Sequence, residues 1–419
     1  MMKMLLFAIA TVPLVAAPLN QTANRSGKVA LYAAAGEELI GFGVDVERAA
    51  LTKQSSVMLP GFVQEAWASP STPFLYVAWS NGGASYNGSG VAARGDKHGV
   101  TAFRVDASGA LHVHGAAAPL RSRPIHITGD IPGTHLLVAY NDPSGVSVHT
   151  INRDGTVAAE VPQARNLDVG IYGHQVRVLP TNRSVILVTR GNQPTATTPE
   201  DAGALKMFRY DDGKLTNLVS IAPSKGLGFR SRHLDFHPTG PWVFLTIESQ
   251  NKLDVFKRVN DGTLSAAPLF SKSTLADGRG VSSGQTASSV HVHPNGQFVY
   301  VANRAGGTTD FNGTPVFAGG TNDIAVFRIN QETGEPSLIQ SIDTRGFTPR
   351  TFALDPSGRI LVVGNQTTMA VRDGATVKTV PPNLAVFRIR ADGKLDFVQR
   401  YDVAAGRKPL WWTGLVAIQ

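Results

Sequence analysis

The strongest constraint on this chain is a proline-centred turn that recurs six times. It falls at Pro70, Pro132, Pro180, Pro238, Pro294 and Pro356, about every 57 residues. A period of that size marks one supersecondary unit copied in series, since a single unit cannot bury its own apolar face. The clearest copy is Arg232–Phe256, RHLDFHPTGPWVFLTIESQNKLDVF. A short strand precedes each anchor proline. A glycine able to take φ > 0 follows in Pro238-Thr239-Gly240, Pro294-Asn295-Gly296 and Pro356-Ser357-Gly358. The apolar runs Phe74–Ala78, Leu136–Tyr140, Val185–Thr189, Trp242–Ile247, Phe298–Ala302 and Ile360–Gly364 read as second strands. Third strands, such as Leu205–Tyr210 and Ile324–Ile329, mostly alternate apolar and polar residues. Asp-Gly turns close several of them, at 154–155, 212–213, 261–262 and 392–393. A weaker fourth strand ends each unit.

Three strand-like runs before the first unit (Val29–Ala34, Gly41–Val46, Leu51–Leu59) lack one partner, and Trp411–Ile418 at the other end is a strand without any. Joined, they complete a seventh unit and leave no open sheet edge. The predicted fold is therefore all-β: a seven-bladed β-propeller of four-stranded antiparallel blades over residues 29–419, its last blade closed by N- and C-terminal strands. A (β/α)₈ barrel would need long amphipathic helices, and the 43 glycines and 25 prolines instead punctuate many short strands.

The absence of cysteine excludes disulfides, thiolate metal sites and cysteine nucleophiles. The net charge of +8 is scattered rather than gathered into a basic tract, so no nucleic-acid partner is expected, although anionic ligands are favoured. Lys3, the apolar run Leu5–Val15 and Ala16-Ala17 read as a signal peptide over 1–17, followed by a linker over 18–28. The run is too short to span a bilayer comfortably. The expectation is an exported monomer, periplasmic or secreted, with no stable membrane insertion after removal of the signal.

Aligned on the anchor proline, the copies expose two polar columns. Six residues before it stand Gln64, His126, His174, Arg232, Ser288 and Arg350. Ten residues after it stand Ser80, Asp142, Arg190, Glu248, Arg304 and Gln366. The turn folds the first two strands into a hairpin, so both columns arrive at the same end, expected to ring one mouth of the axial channel. Long insertions leave from that end at Asn81–Gly99, Gly191–Ala204, Ala305–Asp323 and Thr367–Asn383. The glycines of Ala305–Gly320 read as a flexible insertion. Histidine suits proton transfer near neutral pH, arginine forks suit a carboxylate, phosphate or developing oxyanion, and Glu248 suits orienting the histidine or a water, or serving as a second base. His112-Val113-His114 and His291-Val292-His293 each place two imidazoles on one strand face, but His237 and His293 belong to the turn column, so no metal or other cofactor is expected. Trp411-Trp412 is expected to pack in the closing strand.

Several blocks resemble the seven-bladed lactonase family of bacterial propeller-type 6-phosphogluconolactonases and fungal carboxymuconate-lactonising enzymes. They are Ser231-Arg232-His233 through Glu248, Gly173-His174-Gln175, Asn303-Arg304, and Pro349-Arg350 with Asn365-Gln366. The resemblance covers about Val29 to Ile418; Ser231, Ser289 and Thr351 depart from the family pattern. It implies that His174, Arg232, Glu248 and Arg304 form the catalytic group; His126, His233, Arg350, Gln366 and Arg190 are expected to bind substrate. The expected activity is a metal-independent lactonase or lactonising cycloisomerase acting on a sugar-acid or carboxymuconate-type lactone. Export disfavours a phosphorylated substrate. The rivals are a non-catalytic exported propeller that binds a small ligand or protein through the same face, and a calcium-dependent gluconolactonase-like propeller, for which this ring is too basic.

Overall fold

A computed structural model describes residues 27–82, 95–276, 281–403 and 408–418. The proposed signal peptide and most of the linker lie outside the described residues. Seven four-stranded antiparallel sheets surround a common axis. Their inner strands are Phe62–Ala68, Pro124–Gly129, Gly173–Val178, Ser231–Phe236, Thr286–Val292, Pro349–Leu354 and Leu410–Ala417. In the closing blade, the C-terminal strand is innermost and pairs with Val29–Ala35, so both chain ends lock the ring as expected. Apolar clusters fill the spaces between blades: Tyr76, Ala78, Val100, Leu136 and Val138 join blades one and two, and Phe298, Tyr300, Phe352, Leu361 and Phe387 join blades five and six. Buried tyrosines tie several sheets to the next, with Tyr76 Oη donating to Gly155 O and Tyr300 Oη to Gly393 O, at 3.0 and 2.9 Å.

One irregularity repeats in all seven blades. The inner strand slips register against its neighbour near the start, so an extra residue bulges there. A β-bulge sets two residues against one, which re-aims consecutive side chains and frees backbone groups from the ladder. Neighbouring blades recapture those groups. Gln175 Oε1 accepts from Leu234 N at 2.7 Å, Ser288 and Ser289 both donate to Arg350 O, and Thr351 Oγ1 accepts from Thr413 N.

Two expectations change. In the second blade the turn residue equivalent to the anchor proline is Ile131, not Pro132. Asp130 N bonds His135 O as His237 N bonds Trp242 O and Asp355 N bonds Ile360 O. The bulge therefore falls at Ile125, and His126 belongs one step further along the strand, while Asn141 rather than Asp142 completes the other column. The segment read as a flexible insertion is instead partly a hairpin, Thr308–Phe311 with Thr314–Phe317; a second lies in the next insertion, Met369–Asp373 with Thr376–Val380. Asn312 and Gly313 both have positive φ (54° and 78°), the conformation a tight two-residue hairpin turn demands.

Candidate functional site

The bulge produces two stacked rings of side chains. The first is Gln64, Ile125, His174, Arg232, Ser288, Arg350 and Trp411. The second, one residue on, is Glu65, His126, Gln175, His233, Ser289, Thr351 and Trp412. The first ring faces the end from which the insertions leave, and it is closed: Arg232 is 0% exposed, His174 5% and Arg350 8%. Gly173 allows the approach of His174, because a Cβ there would meet Tyr140 O at 2.6 Å.

Above this ring the second strands deliver Arg190, Glu248 and Arg304. Glu248 opens a single 3-10 turn, Glu248–Gln250, and its backbone N–H is held by Arg230 O at 2.8 Å. Its carboxylate accepts from Arg190 Nη1 at 3.1 Å and from Arg304 Nη2, and lies 3.7 Å from Arg232 Nε. Burial works to raise its pKa, but Arg304, Arg190 and Arg232 prevail and hold it near 2, so it is ionised at all ordinary pH. Its bonding partners are thus arginines, and it is not bonded to His174. Thr286 Oγ1 receives Arg304 Nε at 3.0 Å, and Tyr172 stacks under the Arg190 guanidinium at 4.2 Å.

Four guanidiniums, those of Arg190, Arg232, Arg304 and Arg350, surround this one carboxylate. Burial and like charge both disfavour the Arg232 cation, yet its Nε and Nη2 are buried without hydrogen-bond partners. Arg350 lies 3.8 Å over the Trp411 ring, and its Nε is also unsatisfied. His174 is held well below its usual pKa, first by burial and then by Arg232 and Arg350, so its imidazole is neutral. Its Nδ1 has no hydrogen-bond partner, and its ring meets that of His233 edge-on at 5.0 Å. A neutral imidazole beside an excess of guanidinium donors is equipped to take a proton while an oxyanion develops nearby.

The sequence-derived residues are therefore divided. His174, Arg232, Glu248, Arg304, Arg190 and Arg350 come together, and Gln366 sits at the same end of blade six, its carbonyl accepting from Leu410 N. His126 and His233 face the opposite way, into a cavity of about 460 Å³ lined by every member of the second ring. Sequence reasoning missed Glu65, Trp411 and Trp412 as axial residues. For the tryptophans the signal was present, since the strand that closes a propeller blade is the innermost one. The paired histidines have local partners: His112 bonds Asp106, His114 reaches Asp154 O, and His293 Nε2 donates to Gly358 O in the next turn.

A family model described as "Lactonase, 7-bladed beta-propeller" matches residues 28–373. Two relatives named 6-phosphogluconolactonase, from Serratia proteamaculans and Bacillus subtilis, are each 26% identical to this chain. The matches cover 86% and 82% of this chain and 91% and 88% of the relatives. Among solved structures, a periplasmic gluconolactonase of Pseudomonas aeruginosa aligns with a TM-score of 0.66 at 20% identity, over 94% of this chain and 100% of that one; at such identity the likeness carries the fold alone.

Proposed function

The chain belongs to the lactonase family of seven-bladed β-propellers, and from that premise we propose that it opens, or in reverse forms, a lactone bearing a carboxylate, without a metal ion. The observation that carries this reading is the surplus of buried guanidinium donors around Glu248, with Arg232 Nε and Nη2 unsatisfied. Such a surplus favours an anionic ligand, and a fork of N–H donors matches a carboxylate or a tetrahedral oxyanion. The apolar run at residues 5–15 supports export, so a non-phosphorylated sugar-acid or carboxymuconate-type lactone is preferred.

In hydrolysis, a water oxygen bonds to the lactone carbonyl carbon as its proton passes to His174. Arg232 and Arg304 stabilise the resulting oxyanion. The ring C–O bond then breaks, and the imidazolium returns its proton to the leaving alkoxide. The new carboxylic acid ionises, releasing one proton per turnover. Glu248 orients the arginines and offsets part of their mutual repulsion.

The test is a pH-stat screen of sugar-acid and carboxymuconate-type lactones, followed by His174→Ala. Turnover should fall by about 10²–10⁴-fold, the usual worth of a general base, with thermal unfolding nearly unchanged. Retained activity would overturn the assignment of His174. If no lactone is opened, yet Arg232→Ala changes binding of a carboxylate, the propeller is a binding protein. Because the His174 pKa is held low, the base stays deprotonated in mild acid, and activity should persist below pH ~6.5, the ordinary histidine value.

A further inference from the structure

We propose that the chamber on the other side of the first ring is a second binding site, for an uncharged polyhydroxylated small molecule of the size of a sugar or cyclitol. This assignment is independent of the reaction given to the cationic end. The chamber runs from the second ring to the turn face of the propeller, where Pro294, Asp355 and Pro356 line it. No member of the first ring lines it. Its volume of about 460 Å³ lies toward the small end of ligand pockets, roughly 300–1,000 Å³.

Its chemistry differs in kind from that of the cationic end. His126, His233 and His291 line it with imidazoles, Gln175 with an amide, Thr128 with a hydroxyl and Glu65 with a carboxyl. His126 Nδ1 is buried and lacks a hydrogen-bond partner. Burial keeps His126 and His233 neutral, and it pushes the Glu65 carboxyl up to about 8, with Arg350 opposing, so that this group too is protonated at neutral pH. The Arg177 cation at the wall is matched by Asp235, 3.0 Å away. The Asp355 carboxylate is taken up by the backbone N–H groups of Ser357, Arg359 and Ile360 in its own turn. The other polar groups are neutral and mostly able both to donate and to accept, which suits hydroxyl groups rather than ions. Trp67 and Trp412 add flat apolar surface on which the C–H face of a sugar ring can stack. A chamber that combines neutral hydrogen-bonding groups with two indoles gives little reward to an anion.

Isothermal titration of the full-length protein with myo-inositol and methyl β-D-glucopyranoside tests this, with D-gluconate and inorganic phosphate as anionic controls. At least one neutral probe should bind with a Kd on the order of 1 mM or tighter. His291→Leu, Thr128→Ala and Glu65→Gln, each checked by its thermal unfolding, should weaken that binding; the first two by about tenfold each, the worth of a lost hydrogen bond. Glu248→Gln should leave the Kd for the neutral probe within about twofold, since its side chain lies beyond the first ring. Three outcomes would overturn the site: neither neutral probe binding folded wild-type protein, neutral binding unaffected by both His291→Leu and Thr128→Ala, or neutral binding lost in Glu248→Gln but retained in the chamber variants.

Discussion

The two ends of the axial channel are built by the same strands and differ in almost every property that matters to a ligand. At one end four guanidiniums crowd a single carboxylate, and the strand residues beneath them are sealed. At the other end an open chamber is lined by neutral imidazoles, an amide and a protonated carboxyl. Adjacent residues fall on opposite sides: Arg232 and His233, His174 and Gln175, Arg350 and Thr351, Gln64 and Glu65. The seven-fold bulge is what separates them, because a bulge lets neighbours on one strand serve two environments instead of alternating between blade faces. A propeller can therefore carry two chemistries on one ring of strands, divided by a layer one residue thick.

The largest effect that would break this contrast belongs to Glu248. Glu248→Gln removes the only carboxylate among the described residues that is bonded within the arginine cluster, and removing one partner of a buried charge group costs about 3–5 kcal/mol. Urea unfolding at neutral pH should show a loss of that order; a loss under ~1 kcal/mol would mean that the cluster is solvated and not closed. The analogous Glu65→Gln should cost far less, because it replaces a carboxyl that is already neutral.

The same two carboxyl groups should give stability slopes of opposite sign. Glu248 is held near 2, below its ordinary value, so its contribution is present above about pH 4.5 and is lost as pH falls through 2. Glu65 is pushed up to about 8. The folded state then holds a proton that the unfolded state releases, and stability falls as pH rises from about 4.5 to 8. The buried neutral histidines, His126, His174 and His233, give wild type and Glu65→Gln the same rising slope below pH ~6.5. The denaturant midpoint of wild type measured against that of Glu65→Gln should therefore decline across the range. An unchanged slope in the variant would place the Glu65 carboxylate in contact with solvent.

The smallest effect concerns the hairpins at the cationic end. Gly313→Ala puts a Cβ on a residue at φ 78° and should cost about 1 kcal/mol, detectable as faster proteolysis of the 308–317 hairpin. Binding in the chamber should not change, because the hairpin leaves from the opposite end.

Most of the fold was readable from the chain, because the turn prolines, the second-strand runs and the Asp-Gly turns repeat with the period of one blade. The closing of the last blade followed from counting strands. The cationic cluster was readable too, since the two columns hold Arg190, Arg232, Glu248, Arg304 and Arg350 at fixed offsets. The slip in blade two was not, because a proline stands one place beyond the true turn position and counting from it moves every residue by one. The separation of His233 from Arg232 was also hidden. Strand alternation puts adjacent residues on different faces but does not reveal an extra residue in the ladder. Glu65 escaped because neither column contains it, and its neutrality arises from burial that no local pattern encodes.

The most direct measurement is the ratio of kcat/KM for a carboxylated lactone to that for an uncharged lactone of the same ring size, taken at low and at high salt. If substrate reacts against the arginine cluster, the carboxylated lactone should be preferred by about tenfold or more, the worth of one charge-assisted hydrogen bond of about 1.5–3 kcal/mol. Arg304→Ala should erase most of that preference, and added salt should shrink it. A preference for the uncharged lactone that survives Arg304→Ala would contradict this reading and move the reaction to the neutral chamber.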